Sequence, residues 1–155
     1  MQRNKLTAIT DTAATAAFVL NSGFEPALTR VRRAIRAGGL CIAAEIDVAK
    51  RLKRALRIGT SPCRVLLVDT PLFMLQAAAV NRASGVLIPL HVVVSGAENR
   101  TTVHLLNLAC IRPNELSIGV RSPLLELRQE LFGILSNVAD GVGAQHDAGD
   151  RASLR

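Results

Sequence analysis

A chain of 155 residues with 49 % apolar side chains can bury one sizeable core but not two of ordinary size, which excludes a disordered polymer and leads to the expectation of a single domain. The longest run that is nearly free of charge, Val65 to Asn81, is broken by Asp69, Pro71 and Gln76 and cannot serve as a membrane span. The net charge of +7 is held unevenly: residues 1–70 carry twelve Lys and Arg against five Asp and Glu, whereas residues 71–155 carry seven of each. Such an excess directs attention to phosphate-bearing or acidic partners.

Near the start, Arg3 and Lys5 are followed by Thr7, Thr10, Asp11, Thr12 and Thr15 rather than by an apolar run, so no secretory signal is expected. Cys41, Cys63 and Cys110 are odd in number and lack CxxC or metal-knuckle spacing. A reducing, cytoplasmic setting fits both features, and no cofactor is called for.

Residues 1–12 carry no period and are read as a flexible leader, with a single α+β domain over 13–139 and a disordered tail over 140–155. Ala13 to Leu20 reads as a first strand. From Phe24 to Gly38 the apolar residues Phe24, Leu28, Val31 and Ile35 recur at helical spacing, with Ser22 or Gly23 as N-cap and Gly38-Gly39 supplying left-handed positions at the end. Leu40 to Ile46 is a second strand. Asp47 can then cap a helix from Val48 to about Arg57, whose predicted buried stripe is Val48, Leu52, Ala55 and Leu56.

A turn at Gly59 to Pro62 precedes a third strand, Arg64 to Asp69, whose run Val65-Leu66-Leu67-Val68 predicts burial on both faces. Thr70 is an N-cap type and Pro71 suits the first helical position, so a helix is predicted over 71–81. Apolar residues surround that helix completely, as they do in a helix that is either fully buried or half of an interface. Full burial is hard to arrange in so small a domain, so self-association through this helix or the adjoining sheet is expected.

After a turn at Ala83-Ser84-Gly85, strands over Val86 to Val94 and Thr101 to Cys110 form a hairpin joined by Ser95 to Arg100. Arg112-Pro113-Asn114 breaks the pattern. Ser122-Pro123 repeats the Thr70-Pro71 start signal and opens a last helix to about Val138, with Leu124, Leu127, Leu131, Ile134, Leu135 and Val138 inward.

Gly23-Phe24-Glu25 before a helix, Gly39-Leu40 entering a strand, Glu45-Ile46-Asp47-Val48, the Pro71 corner, and Leu87-Ile88-Pro89 followed by Val92-Val93-Val94 together resemble the domain-of-unknown-function 302 family. The resemblance runs from Ala13 to Val138. It implies a curved, largely antiparallel sheet with helices packed on one side, a TATA-binding-protein-like fold, often dimeric, compatible with the derived order βαβαβαββα. Strand–helix alternation alone would have favoured a parallel sheet. Many members read Cys-Asn-Pro at the corner and place a second cysteine after the later proline. This chain has Asp69-Thr70-Pro71 and Pro89-Leu90 there, so no thiol, redox or metal role transfers.

Asp69 and Thr70 are candidate ligand-binding residues, because a carboxylate at a strand end beside a helix N-terminus can meet cations or act as a base. The plainer explanation is a helix cap or an arginine pair. His91 and His104 are the other candidates: a hairpin turning at Ala97-Glu98 would set them directly opposite. Two histidines make half of a zinc site at most, so no metal is assigned.

The helix backs Arg30, Arg32, Arg33, Arg36 and Lys50, Arg51, Lys53, Arg54, Arg57 are candidate polyanion-binding surfaces. Nucleic acid is nevertheless not favoured, since the chain has no Trp or Tyr to stack bases and no recognition motif. No glycine-rich phosphate loop or nucleophile elbow is present. The expectation is a homodimeric, non-enzymatic module for a small ligand or protein partner. Polyanion binding and an enzyme built on Asp69 with a histidine are the alternatives.

Overall fold

The structure, a computed structural model, describes residues 15–80, 89–106 and 118–140. Among the described residues, five strands and four helices follow one another in the order β1 (Thr15–Leu20), α1 (Phe24–Ala37), β2 (Cys41–Asp47), α2 (Val48–Leu56), β3 (Cys63–Asp69), α3 (Pro71–Val80), β4 (Leu90–Ala97), β5 (Arg100–Leu106) and α4 (Ile118–Asp140). The strands form one sheet in the order β1-β5-β4-β3-β2, and every pairing is antiparallel. The α+β, antiparallel expectation therefore holds.

Alternation divides the sheet into two chemically distinct faces. Ala16, Phe18 and Leu20 of β1, Leu66 and Val68 of β3, Val92 and Val94 of β4, and Val103 and Leu105 of β5 are buried. They form one core with Leu28, Val31 and Ile35 of α1 and with Leu124, Leu127, Leu131 and Leu135 of α4. Phe18 and Phe132 meet edge to face there, centroids 5.2 Å apart. The opposite face carries Ala17, Val19, Val65, Leu67 and Val93, all half-buried. Burial of β3 on both faces is thus only partly realised: Leu66 and Val68 are sealed and Val65 and Leu67 are not.

Local chemistry explains most element boundaries. Thr70 Oγ1 accepts from the Phe73 N–H at 3.0 Å, capping α3 as its residue type predicts. Asp47 Oδ1 accepts from the Lys50 N–H at 2.8 Å and caps α2 in the same way. At the end of α1 only Gly39 is left-handed, with φ +81; Gly38 keeps φ −76. Gly38 instead packs against α4, where a Cβ would oblige the end of the Ile134 side chain to shift.

Three expectations are corrected. No residue of α2 is buried, and the predicted stripe leaves Ala55 and Leu56 exposed and Val48 and Leu52 half-buried. The reason is positional: α2 follows the edge strand β2, where no second layer is present among the described residues to cover it. The last helix begins at Ile118, so Pro123 sits within it rather than opening it. Proline removes a single N–H near the start of a long helix, and Leu124, Leu127, Leu131 and Leu135 anchor the remainder against the core. The hairpin strands extend to Ala97 and start again at Arg100, leaving only Glu98-Asn99 as the connection. Parts of the predicted strands over 86–88 and 107–110, the turns at 83–85 and 112–114, and the predicted leader and tail lie outside the described residues.

Candidate functional site

The hairpin register decides the relation between the two histidines. His104 faces Val93 rather than His91, a shift of two residues from the predicted pairing. A two-residue shift preserves the face, so both imidazoles project from the side opposite the core. His91 pairs across β3 with Leu67, two residues from Asp69. Asp69, His91 and His104 therefore step diagonally across β3, β4 and β5 on one face. Such diagonal neighbours stand about 7–8 Å apart, and among the described residues no hydrogen bond joins any two of the three.

Asp69 fulfils neither plain role foreseen for it. Thr70 does the capping, and among the described residues no arginine or hydrogen-bond donor meets the Asp69 carboxylate, which is 5 % exposed. Burial alone pushes its pKa above the ordinary carboxylate range. Directly opposite it on β2 stands the exposed Cys41. Among the described residues no group of three or more His, Cys, Asp or Glu is placed to hold a metal ion.

The basic faces are unequal. On α1, Arg32 is committed to Glu45 of β2 through a two-point bond, Nε to Oε1 at 2.7 Å and Nη2 to Oε2 at 2.5 Å. That bond holds the Glu45 carboxylate below its usual range and the Arg32 guanidinium above its own. Arg30 donates to Ser22 Oγ at 2.6 Å. Arg33 and Arg36 remain exposed, as do Lys50, Arg51, Lys53, Arg54 and Arg57 of α2. No salt bridge occupies these seven side chains among the described residues.

The feature that sequence reasoning missed is a cavity of about 570 Å³ between the start of α1, the exposed side of α2 and the start of β3. Phe24, Ala49, Pro62 and Cys63 supply its apolar wall, and Glu25, Asp47, Lys50, Lys53 and Arg64 its charged one. Antiparallel pairing of β2 with β3 sets Asp47 directly opposite Arg64, and Nη2 of Arg64 lies 3.1 Å from Asp47 Oδ2. Glu45 approaches the same guanidinium at 4.0 Å. Nε of Arg64 is buried without an acceptor. Burial, then the nearby Asp47 charge, raises the Cys63 pKa, which disfavours the thiolate form of the side chain that lines the cavity. Neither Asp69 nor either β-hairpin histidine lines this cavity.

A second, smaller cavity of about 250 Å³ opens between α3 and α4, lined by Thr70, Phe73, Gln76, Glu126 and Glu130 among others. On α3 itself Phe73 is buried, whereas Leu72, Met74 and Leu75 are 64 %, 49 % and 68 % exposed. Among the described residues no helix is long and apolar enough to cross a membrane.

Comparison with known proteins agrees with the architecture. One solved structure, the crystal structure of an uncharacterized conserved protein, DUF302, from Bacillus stearothermophilus, superposes with a TM-score of 0.71. The identity is 14 %, and the match covers 80 % of this chain and 97 % of that one, a likeness of fold alone. No curated protein matches. The family model described as a domain of unknown function, DUF302, matches residues 17–138, from β1 to the last turns of α4. With that match spanning the sheet and its helices, the chain belongs to the DUF302 family.

Proposed function

We propose that this DUF302 domain is a non-enzymatic binding module whose ligand is a small molecule held in the cavity between α1, α2 and β3. The observation that carries this reading is the cavity itself. Its volume of about 570 Å³ lies within the range of small-molecule sites, and an apolar wall faced by a few charged groups is the usual composition of such sites. Binding is favoured over catalysis because the groups at hand are already spent or inert. Asp47 is shared between the α2 cap and Arg64, and burial disfavours the Cys63 thiolate. Asp69 and the histidines stand elsewhere on the sheet, separated by diagonal steps.

The module works as a homodimer. Supporting this, Leu72, Met74 and Leu75 expose a continuous apolar turn of α3, an expensive surface to leave in water. The test of the ligand reading is a thermal-shift screen of small metabolites against the wild type and an Ala49→Trp variant, whose indole would fill the cavity. Ligands that stabilise the wild type and not the variant support the reading. Ligands that stabilise both equally bind elsewhere and contradict it.

A further inference from the structure

The cavity has an unbalanced set of charges once internal partners are subtracted. Asp47 is the carboxylate nearest the cations, yet its oxygens already accept from the Lys50 N–H at 2.8 Å and face Arg64 at 3.1 Å. Lys50 and Lys53, three residues apart on one side of α2, have no carboxylate partner among the described residues. Two like charges so placed repel one another unless an anion lies between them. Arg64 lines the same cavity, with its Nη2 held by Asp47 and its side chain 23 % exposed. Arginine's several donors, fixed in a planar fork, match oxyanion geometry. Ala49 and Lys50, in the first turn of α2, line the cavity as well, the Lys50 N–H being taken by Asp47.

Resting on the small-ligand reading above, we infer that the ligand carries an oxyanion, a carboxylate or a phosphate, held by Lys50 and Lys53 with Arg64 behind them. Glu25 at the rim makes no hydrogen bond or ion pair among the described residues. It limits the site to one such group, because a second anion would meet its charge. The remainder of the ligand lies against Phe24 and Pro62.

The test uses inorganic phosphate and acetate as separate probes, followed by amide chemical shifts of the full chain at constant ionic strength. Lys50→Met/Lys53→Met removes both ammonium groups without touching the Arg64–Asp47 pair, and Arg33→Met/Arg36→Met is the control on α1. Saturable shifts centred on residues 47–53 and 63–64, weakened at least tenfold in the α2 variant and unchanged in the α1 control, support the inference. Whichever probe binds identifies the oxyanion. Equal weakening in both variants, or none in either, marks general counter-ion condensation and overturns it. Binding of duplex nucleic acid that competes with the probes and loses salt dependence in the α2 variant overturns it in favour of a polyanion surface. A neutral or cationic molecule found in the cavity would overturn the oxyanion and leave the small-ligand reading standing.

Discussion

Phe24 rests on the bare backbone of Gly96: a Cβ at residue 96 would lie 2.7 Å from Phe24 Cβ and 2.9 Å from Cδ2. The contact ties the first residue of α1, a wall of the cavity, to β4, and Gly96 is further fixed by its N–H, which donates to the Pro62 carbonyl at 2.9 Å. Gly96→Ala must therefore displace the ring or the strand. A loss of about 1–3 kcal/mol is expected in urea unfolding, together with weaker cavity binding. Unchanged stability would mean that the ring yields freely.

Asp69 should make stability fall as pH rises. Its folded-state pKa is raised by burial, so the folded chain holds a proton that the unfolded chain has released. The penalty begins near the unfolded value of about 3.9 and grows until the folded pKa is passed. Asp69→Asn keeps the shape and removes the charge. The variant is expected to be more stable than the wild type at neutral pH and to match it below about pH 4. A difference that does not change with pH would place the effect in packing.

Arg57 is the one described residue other than glycine with positive φ, at φ 59 and ψ 22, where it ends α2 with its N–H bonded to the Lys53 carbonyl. Glycine adopts that conformation without a Cβ penalty. Arg57→Gly should thus raise the denaturation midpoint by the equivalent of about 0.5–1 kcal/mol. Chemical denaturation of the two proteins side by side checks it.

These sites differ in how far the sequence disclosed them. Thr70 and Asp47 were legible as caps because a cap depends only on a side-chain oxygen and a backbone N–H two or three residues away. The core faces of α1 and α4 were equally legible, since periodicity reports local geometry. Pro123 misled because the signal that opens a helix is also tolerated inside one whose later turns are well anchored. The cavity could not be read at all. It joins Phe24 and Glu25 to Asp47, Lys50 and Lys53 and to Cys63 and Arg64, three stretches brought together only by the β2–β3 ladder and the packing of α1. The one available signal was opposite charge at ladder positions, Asp47 across from Arg64, and using it requires knowing the register.

The apolar turn of α3 gives the dimer its own test. Leu72→Glu/Leu75→Glu replaces two side chains that are 64 % and 68 % exposed in the single chain, so the fold itself should survive with little cost. Light scattering is expected to give twice the chain mass for the wild type and the single mass for the variant. A monomeric wild type at high protein concentration contradicts the dimer.

Whether a small molecule occupies the cavity behind Phe24 is tested most directly by mass spectrometry of the purified protein under native and then denaturing conditions. A small added mass per chain is expected in the native spectrum, lost on denaturation and much reduced in Gly96→Ala and in Ala49→Trp. Identical native and denatured masses per chain, or an adduct that persists undiminished in both variants, would contradict it.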